Sequence, residues 1–222
     1  MGKNKWLRFE ENAGFSSLFQ PEFEEVFSKD WRLKGQWNQS VFKREAPICL
    51  ELGCGKGEYT LALARKYPDR HFIGIDIKGA RLWRGAKTAM EEALPNVAFI
   101  RTRIEFIESL FAPHEIDEIW ITFPDPQLRK ERKRLTHAIF LARYRSFLRP
   151  GATIHLKTDS QELYDFTFQQ VKALNYNILY AYPDMYGANL HNLVDMLGVQ
   201  TFYEKHYLAQ GKPITYLAFT IP

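Results

Sequence analysis

From residue 48 onward the chain alternates between two kinds of stretch. Short, nearly continuous apolar runs cover Ile48 to Leu52, His71 to Ile75, Val97 to Arg101 and Ile119 to Phe123, and each reads as a strand covered on both faces. Between the first three, Glu58 to Lys66 and Ala80 to Leu94 read as helices. That order is the βαβ signature and predicts a parallel sheet. Leu135, Ile139, Ala142, Arg143 and Phe147 then fall at helical spacing, Pro150-Gly151 is expected to break that helix, and Thr153 to Leu156 makes a fifth strand. A helix over Ser160 to Leu174 leads to strands at Tyr176 to Tyr180 and Thr215 to Thr220, seven strands in all. Pro183 to Gly211 is the least regular region, and its length predicts either partial helix or a functional loop.

Residues 1–45 mix Trp6, Phe9, Phe15, Phe19, Trp31 and Trp37 with charges and show no clean period before Glu22 to Phe27. They read as an N-terminal extension with a short helix, packed on a domain formed by residues 46–222. A length of 222 residues, 45% of them hydrophobic, suits one α/β domain with a sizeable core.

Charge changes this picture only locally. The net charge of +4 is mild, but Arg129, Lys130, Arg132, Lys133 and Arg134 crowd one segment, and Lys3, Lys5 and Arg8 form a second basic group. Both are candidate polyanion contacts. Cys49 and Cys54 lie on one strand and its exit, too close to staple the fold, so a reducing cytoplasm is expected. The basic N-terminus has no apolar run behind it, so neither a secretory signal nor a membrane span is expected. His71, His114, His137, His155, His191 and His206 show no metal-ligand spacing, and no metal is expected.

The first strand ends in Glu51-Leu52-Gly53-Cys54-Gly55-Lys56-Gly57 and feeds directly into a helix. A glycine turn there lets a ligand approach the backbone closely. The dinucleotide pattern requires a third glycine where this chain has Glu58, and a carboxylate repels a pyrophosphate. A Walker loop requires Ser or Thr after Lys56, where Gly57 stands. A cofactor that carries a cation and no phosphate suits Glu51 better, which points to S-adenosylmethionine. Asp76, at the end of the second strand, suits the two ribose hydroxyls of such a ligand. Cys54, inside the loop, reads as packing rather than as a nucleophile.

Phe123-Pro124-Asp125-Pro126 follows the fourth strand and puts Asp125 at the carboxyl edge of the sheet, where doubly wound folds bind ligands. The flanking prolines hold it rigidly. The run from Arg129 to Arg134 would lie beside the same pocket and grip phosphates.

With these pieces the chain resembles the bacterial tRNA (guanine-N7-)-methyltransferase (TrmB) family from about Leu50 to Phe219. The resemblance also rests on Gly74-Ile75-Asp76-Ile77, Lys157-Thr158-Asp159, Thr201-Phe202-Tyr203-Glu204 and Gly211-Lys212-Pro213-Ile214. It implies a Rossmann-like class I methyltransferase fold, a mostly parallel seven-stranded sheet with helices on both faces and an antiparallel last strand. The implied activity is methylation of guanine N7 in tRNA, at the variable-loop guanine of tRNA position 46, with S-adenosylhomocysteine as the second product. Glu51, Gly53, Gly55, Gly57 and Asp76 would hold the cofactor, and Asp125 would be the catalytic carboxylate, also touching the cofactor. Arg129, Asp159, Thr201, Phe202, Tyr203 and Glu204 would face tRNA, Phe202 and Tyr203 by stacking and Glu204 by bonding the guanine edge. The protein would be a monomer or a homodimer.

Two positions depart from the family pattern. Arg103-Ile104 stands where the family has Asp-Ala at the adenine end of the cofactor, so the backbone N–H of Ile104 would replace a carboxylate there. Pro126-Gln127 stands where the family has Pro-Trp. The competing readings are another class I RNA methyltransferase and a noncatalytic RNA-binding factor on the same scaffold.

Overall fold

The computed structural model describes residues 3–189 and 195–222; the side chains of Lys3 and Lys5, and all of His191, lie outside the described residues. The strands are β1 (Leu18–Phe19), β2 (Ile48–Leu52), β3 (His71–Asp76), β4 (Val97–Arg101), β5 (Ile116–Thr122), β6 (Leu148–Thr158), β7 (Asn177–Tyr182) and β8 (Thr215–Thr220). They form one sheet in the order β1-β4-β3-β2-β5-β6-β8-β7. β1 to β6 pair in parallel wherever they meet, and only β8 is antiparallel, to both β6 and β7. The helices are α1 (Lys3–Asn12), α2 (Phe23–Val26), α3 (Glu58–Lys66), α4 (Gly79–Glu91), α5 (Ala138–Arg145), α6 (Gln161–Ala173) and α7 (Phe202–Ala209). Among the described residues no helix is long and apolar enough to cross a membrane.

The seven expected strands are all present, and β2, β4 and β8 have the expected limits. An eighth comes from the N-terminal segment, where Leu18 and Phe19 pair with Phe99 and Ile100. The segment also contributes Trp31, Trp37 and Phe42 to the same core as Leu50 and Ile73, and the Trp37 indole donates to Leu110 O at 3.0 Å.

The fifth strand differs more. It begins at Leu148, so Pro150-Gly151 lies inside β6 and the helix ends earlier, at Arg145. Between the pairs Ile116↔Leu148 and Glu118↔Thr153, β6 carries three residues more than β5. Gly151, at φ +79°, sits in that bulge, where a glycine and a proline are tolerated because the ladder is already interrupted.

Strand order reverses around β2, with β3 on one side and β5 on the other, so a crevice opens at their carboxyl ends. Its floor depends on Gly57, which begins α3 at φ +71°; a Cβ there would lie 2.5 Å from the Phe99 ring. Gly53 and Gly55 also have positive φ, but a Cβ on either would meet nothing within 4 Å.

One wall is held by a buried ion pair. Lys157, near the end of β6, is fully buried; its Nζ lies 2.7 Å from Glu204 of α7 and donates to Leu197 O and Val199 O at 3.2 and 3.1 Å. Burial pulls the Lys157 pKa down, and the Glu204 carboxylate opposes that shift. Glu204 also accepts from the Tyr186 hydroxyl at 2.7 Å and closes a capping box with Thr201.

Gly57→Ala should destabilise the fold by about 3–5 kcal/mol, combining left-handed strain with overpacking, against about 1 kcal/mol for Gly53→Ala, in urea unfolding. Lys157→Met should cost about 3–5 kcal/mol by stranding a buried carboxylate. Adding Glu204→Gln should recover a substantial part of that loss, and the same unfolding curves read both variants.

Candidate active site

The glycine loop is tied to the end of β3. Gly53 and Cys54 both donate their N–H to Ile75 O, at 2.8 and 3.1 Å, and Gly55 N–H donates to Asp76 Oδ2 at 2.9 Å. Lys78 N–H donates to Asp76 Oδ1 at 2.7 Å. Asp76 is therefore fixed by backbone donors, and each of its oxygens keeps acceptor capacity for a ligand. Cys54 packs behind the loop against Gly74, and burial pushes its thiol pKa well up, which suits packing and not nucleophilic chemistry.

Glu51 is the most perturbed carboxyl group here. Its Oε2 accepts from Thr60 N–H at 2.9 Å and from Thr60 Oγ1 at 2.5 Å, and its Oε1 accepts from Thr122 Oγ1 at 2.6 Å. These bonds favour the ionised form, yet burial outweighs them and raises its pKa to about 7. Among the described residues no cation pairs with it. A buried carboxylate in this state is stabilised by any ligand that brings a positive charge.

Two hollows meet over this loop. The first is lined by Glu51, Gly55, Tyr59, Thr122, Thr201 and Tyr203. The second, of about 430 Å³, is lined by Asp76, Ile77, Arg103, Ile104 and Asp125. They share Gly53, Arg81 and Phe123. The expected residues Glu51, Gly53, Gly55, Asp76, Arg103, Ile104 and Asp125 thus converge, while Gly57 lies beneath the loop against Phe99. The Arg103 side chain turns to Glu105 at 3.2 Å, and Ile104 opens a 3-10 turn that no side chain caps. Its N–H belongs to the first turn, where an amide has no acceptor within the helix, and Ile104 lines the hollow. Open space above Gly53 and Gly55, two acidic groups and this donor suit a ligand with a cation and adjacent hydroxyls. Among the described residues no group of three His, Cys, Asp or Glu is arranged for a metal ion.

Asp125 stands exposed at the mouth. Its Oδ1 accepts from Gln127 N–H at 3.0 Å, and Phe123 N–H donates to Lys157 O at 2.8 Å. Phe123 and Gln127 both have left-handed backbones, at φ +47° and +49°. Two non-glycine residues in that region bracket Asp125, a strain of the sort concentrated at working sites.

The polyanion-facing set divides. Arg129, Lys130, Arg132 and Lys133 are exposed, but Arg134 is buried: it donates to Pro126 O at 3.0 Å, pairs with Glu162 and lies 4.4 Å over the Phe166 ring. It braces the Asp125 turn against α6 and cannot also grip a phosphate. Glu204, expected at the substrate edge, is likewise fully buried in its pair with Lys157, so its effect on a ligand is indirect. Thr201 is the buried N-cap of α7. Phe202 and Tyr203 are 62% and 49% exposed, which removes core packing as their role. Asp159 is half-buried beside Tyr207, whose hydroxyl pKa rises through burial first and this carboxylate second. Sequence reasoning assigns no site role to Thr60, Thr122, Arg81 or Lys157; of these only Lys157 carries a signal, as the first residue of the Lys157-Thr158-Asp159 segment on which the resemblance rests.

Residues 45–217 match the family model described as a putative methyltransferase. A tRNA (guanine-N(7)-)-methyltransferase of Christiangramia forsetii is 54% identical, covering 99% of this chain and 98% of that protein. One of Bacteroides thetaiotaomicron is 43% identical, covering 100% of this chain and 87% of that protein. Among solved structures, the 16S rRNA methyltransferase KamB matches with a TM-score of 0.63 at 17% identity, covering 82% of this chain and 91% of that one, a likeness of fold. With the crevice at the reversal of strand order, a cation-ready carboxylate beside the glycine loop and identity sustained over the whole length, the chain belongs to the tRNA (guanine-N7-)-methyltransferase family.

Proposed function

We propose that this chain methylates N7 of a guanine in tRNA, the variable-loop guanine at tRNA position 46, with Asp125 as the catalytic carboxylate. The observation that carries this reading is the convergence of Glu51, Asp76 and Asp125 on two hollows that meet over Gly53. When bound, S-adenosylmethionine supplies an electrophilic methyl group on a cationic sulfonium and leaves as S-adenosylhomocysteine. Glu51 and the Gly53–Gly55 backbone hold its cationic amino-acid end, Asp76 its ribose hydroxyls and the Ile104 N–H its adenine, with Arg103 flanking.

Guanine N7 is an unprotonated lone pair, so no general base is required. The protein's task is to hold the base in line and to offset positive charge that develops on the purine. Asp125 accepts hydrogen bonds from the guanine N1–H and amino group and places a negative charge beside the ring. Phe202 and Tyr203 stack on a base drawn out of the tRNA fold. Arg129 and its exposed neighbours contact phosphates, and Asp159 faces the tRNA. Thr201 and Glu204 act as positioning residues through α7. Every group in this reading comes from one chain, so it holds for a monomer or a homodimer, and the unpaired Cys49 and Cys54 suit the cytoplasm.

Unmodified tRNA transcripts incubated with methyl-labelled cofactor should become cleavable at N7-methylguanosine; label without cleavage would remove the reaction assignment. Asp125→Asn should lower kcat about 100-fold with tRNA affinity unchanged. Because the raised Glu51 pKa makes its charge appear only above about pH 7, cofactor binding must release a proton below that pH. Adenosylhomocysteine affinity should therefore fall by up to tenfold per unit as the pH drops below 7, and Glu51→Gln should flatten that dependence in calorimetric titrations.

A further inference from the structure

The second hollow is lined in part by basic side chains. Lys133, Lys78 at the N-cap of α4 and Arg81 of α4 are among them. The α4 row continues along that helix through Arg84 and Lys87, three residues apart, on the side away from its buried face at Leu82, Ala86 and Ala89. Arg8 of α1 joins them: Arg8, Arg84 and Lys87 lie 4.7, 5.4 and 4.9 Å from the centre of the Trp83 ring. The neighbouring Glu11 is engaged by the Trp83 indole N–H. None of these cations takes part in a described ion pair. A row of cations without a carboxylate partner, continuing from the lining of the hollow along one exposed helix side, marks a surface suited to an external polyanion.

We propose that the α4 face formed by Lys78, Arg81, Arg84 and Lys87, with Arg8 of α1, is a second phosphate-binding bank for tRNA. It grips the RNA backbone on the side of the target nucleotide opposite Arg129 to Lys133. This rests on tRNA being the substrate. A nucleotide drawn into the hollow continues as backbone in both directions, and one basic bank can hold only one of them. Lys87 and Arg8, against Trp83, extend the bank beyond the reach of a single nucleotide.

The test uses the full chain with Arg84→Glu and Lys87→Glu combined, two positions outside both hollows. tRNA affinity is measured from 50 to 300 mM salt, beside adenosylhomocysteine affinity and the thermal midpoint. The expected result is tRNA binding weakened at least tenfold, with the slope of log K against log salt reduced by about 0.7–0.9 for each phosphate no longer neutralised, and cofactor affinity unchanged. Lys29→Glu with Lys172→Glu makes the same charge change on remote surfaces and should shift tRNA affinity less than about twofold. An unchanged slope in the α4 variant, or an equal shift in the remote variant, would overturn the proposal. Should the reversed pair melt early, Arg84→Gln with Lys87→Gln gives the same slope readout and decides in its place. Wild-type protein that binds tRNA with the full slope but forms no N7-methylguanosine would defeat the activity reading and leave this surface standing. Product formation with an unaltered slope in the variant would do the reverse.

Discussion

Both walls of the crevice hang on Lys157. Its ammonium, fully buried, reaches the Glu204 carboxylate and two carbonyls of the segment before α7, while its own carbonyl receives the N–H of Phe123 and so sets the turn that carries Asp125. Burying such a pair costs several kcal/mol per ion in desolvation, and only dense hydrogen bonding offsets it. Here the ammonium has three partners, and the carboxylate has the ammonium, the Tyr186 hydroxyl and the N-cap of α7. Hydrophobic contacts could hold α7 equally well, but not at one register. The directional pair fixes which side of α7 faces inward and leaves Phe202 and Tyr203 at the mouth.

Across the crevice the order of causes runs the other way. There the apolar sheet comes first: β2 is buried along its whole length, so the only polar side chain it carries, Glu51, is desolvated wherever the register places it. Thr60 and Thr122 satisfy its oxygens without neutralising its charge. The glycine loop leaves ligand space in front of it, and Asp76 secures that loop through Gly55. The strain at Phe123 and the unpaired charge at Glu51 are both tolerated because the surrounding sheet overdetermines them.

How much of this is legible in the sequence follows from how local each cause is. β2, α3, β4 and β8 are readable to the residue because continuous apolar runs and a glycine turn decide them within a few positions. β1 is not, since two residues carry no period and their pairing partner lies some eighty positions away. Arg129 and Arg134 belong to one basic run, yet Glu162 and Phe166 on another helix bury only the second. Thr201 to Glu204 fits the Thr-x-x-Glu capping pattern, a local signal for a helix start that competes with the substrate reading of the same residues. The start of bulged β6 escapes a sequence reading because Pro150-Gly151 signals a break without saying whether the break falls before a strand or within one.

Charge is sorted by depth more than by amount. A net charge of +4 on 222 residues steers little by itself. Within the crevice, however, Glu51, Asp76 and Asp125 form no ion pair with any described residue, while Lys78 and Arg81 at its rim, and Arg84 and Lys87 beyond it, have no described carboxylate partner either. Had the two sets been paired with each other, the interior would lose its attraction for a cation and the rim its attraction for phosphate. Their separation costs the folded state the Coulomb energy of several possible pairs, each worth little at the surface but more near the buried Glu51. A protein whose ligands are a cation inside and a polyanion outside recovers that energy when both are in place, and neither ligand alone satisfies both sets.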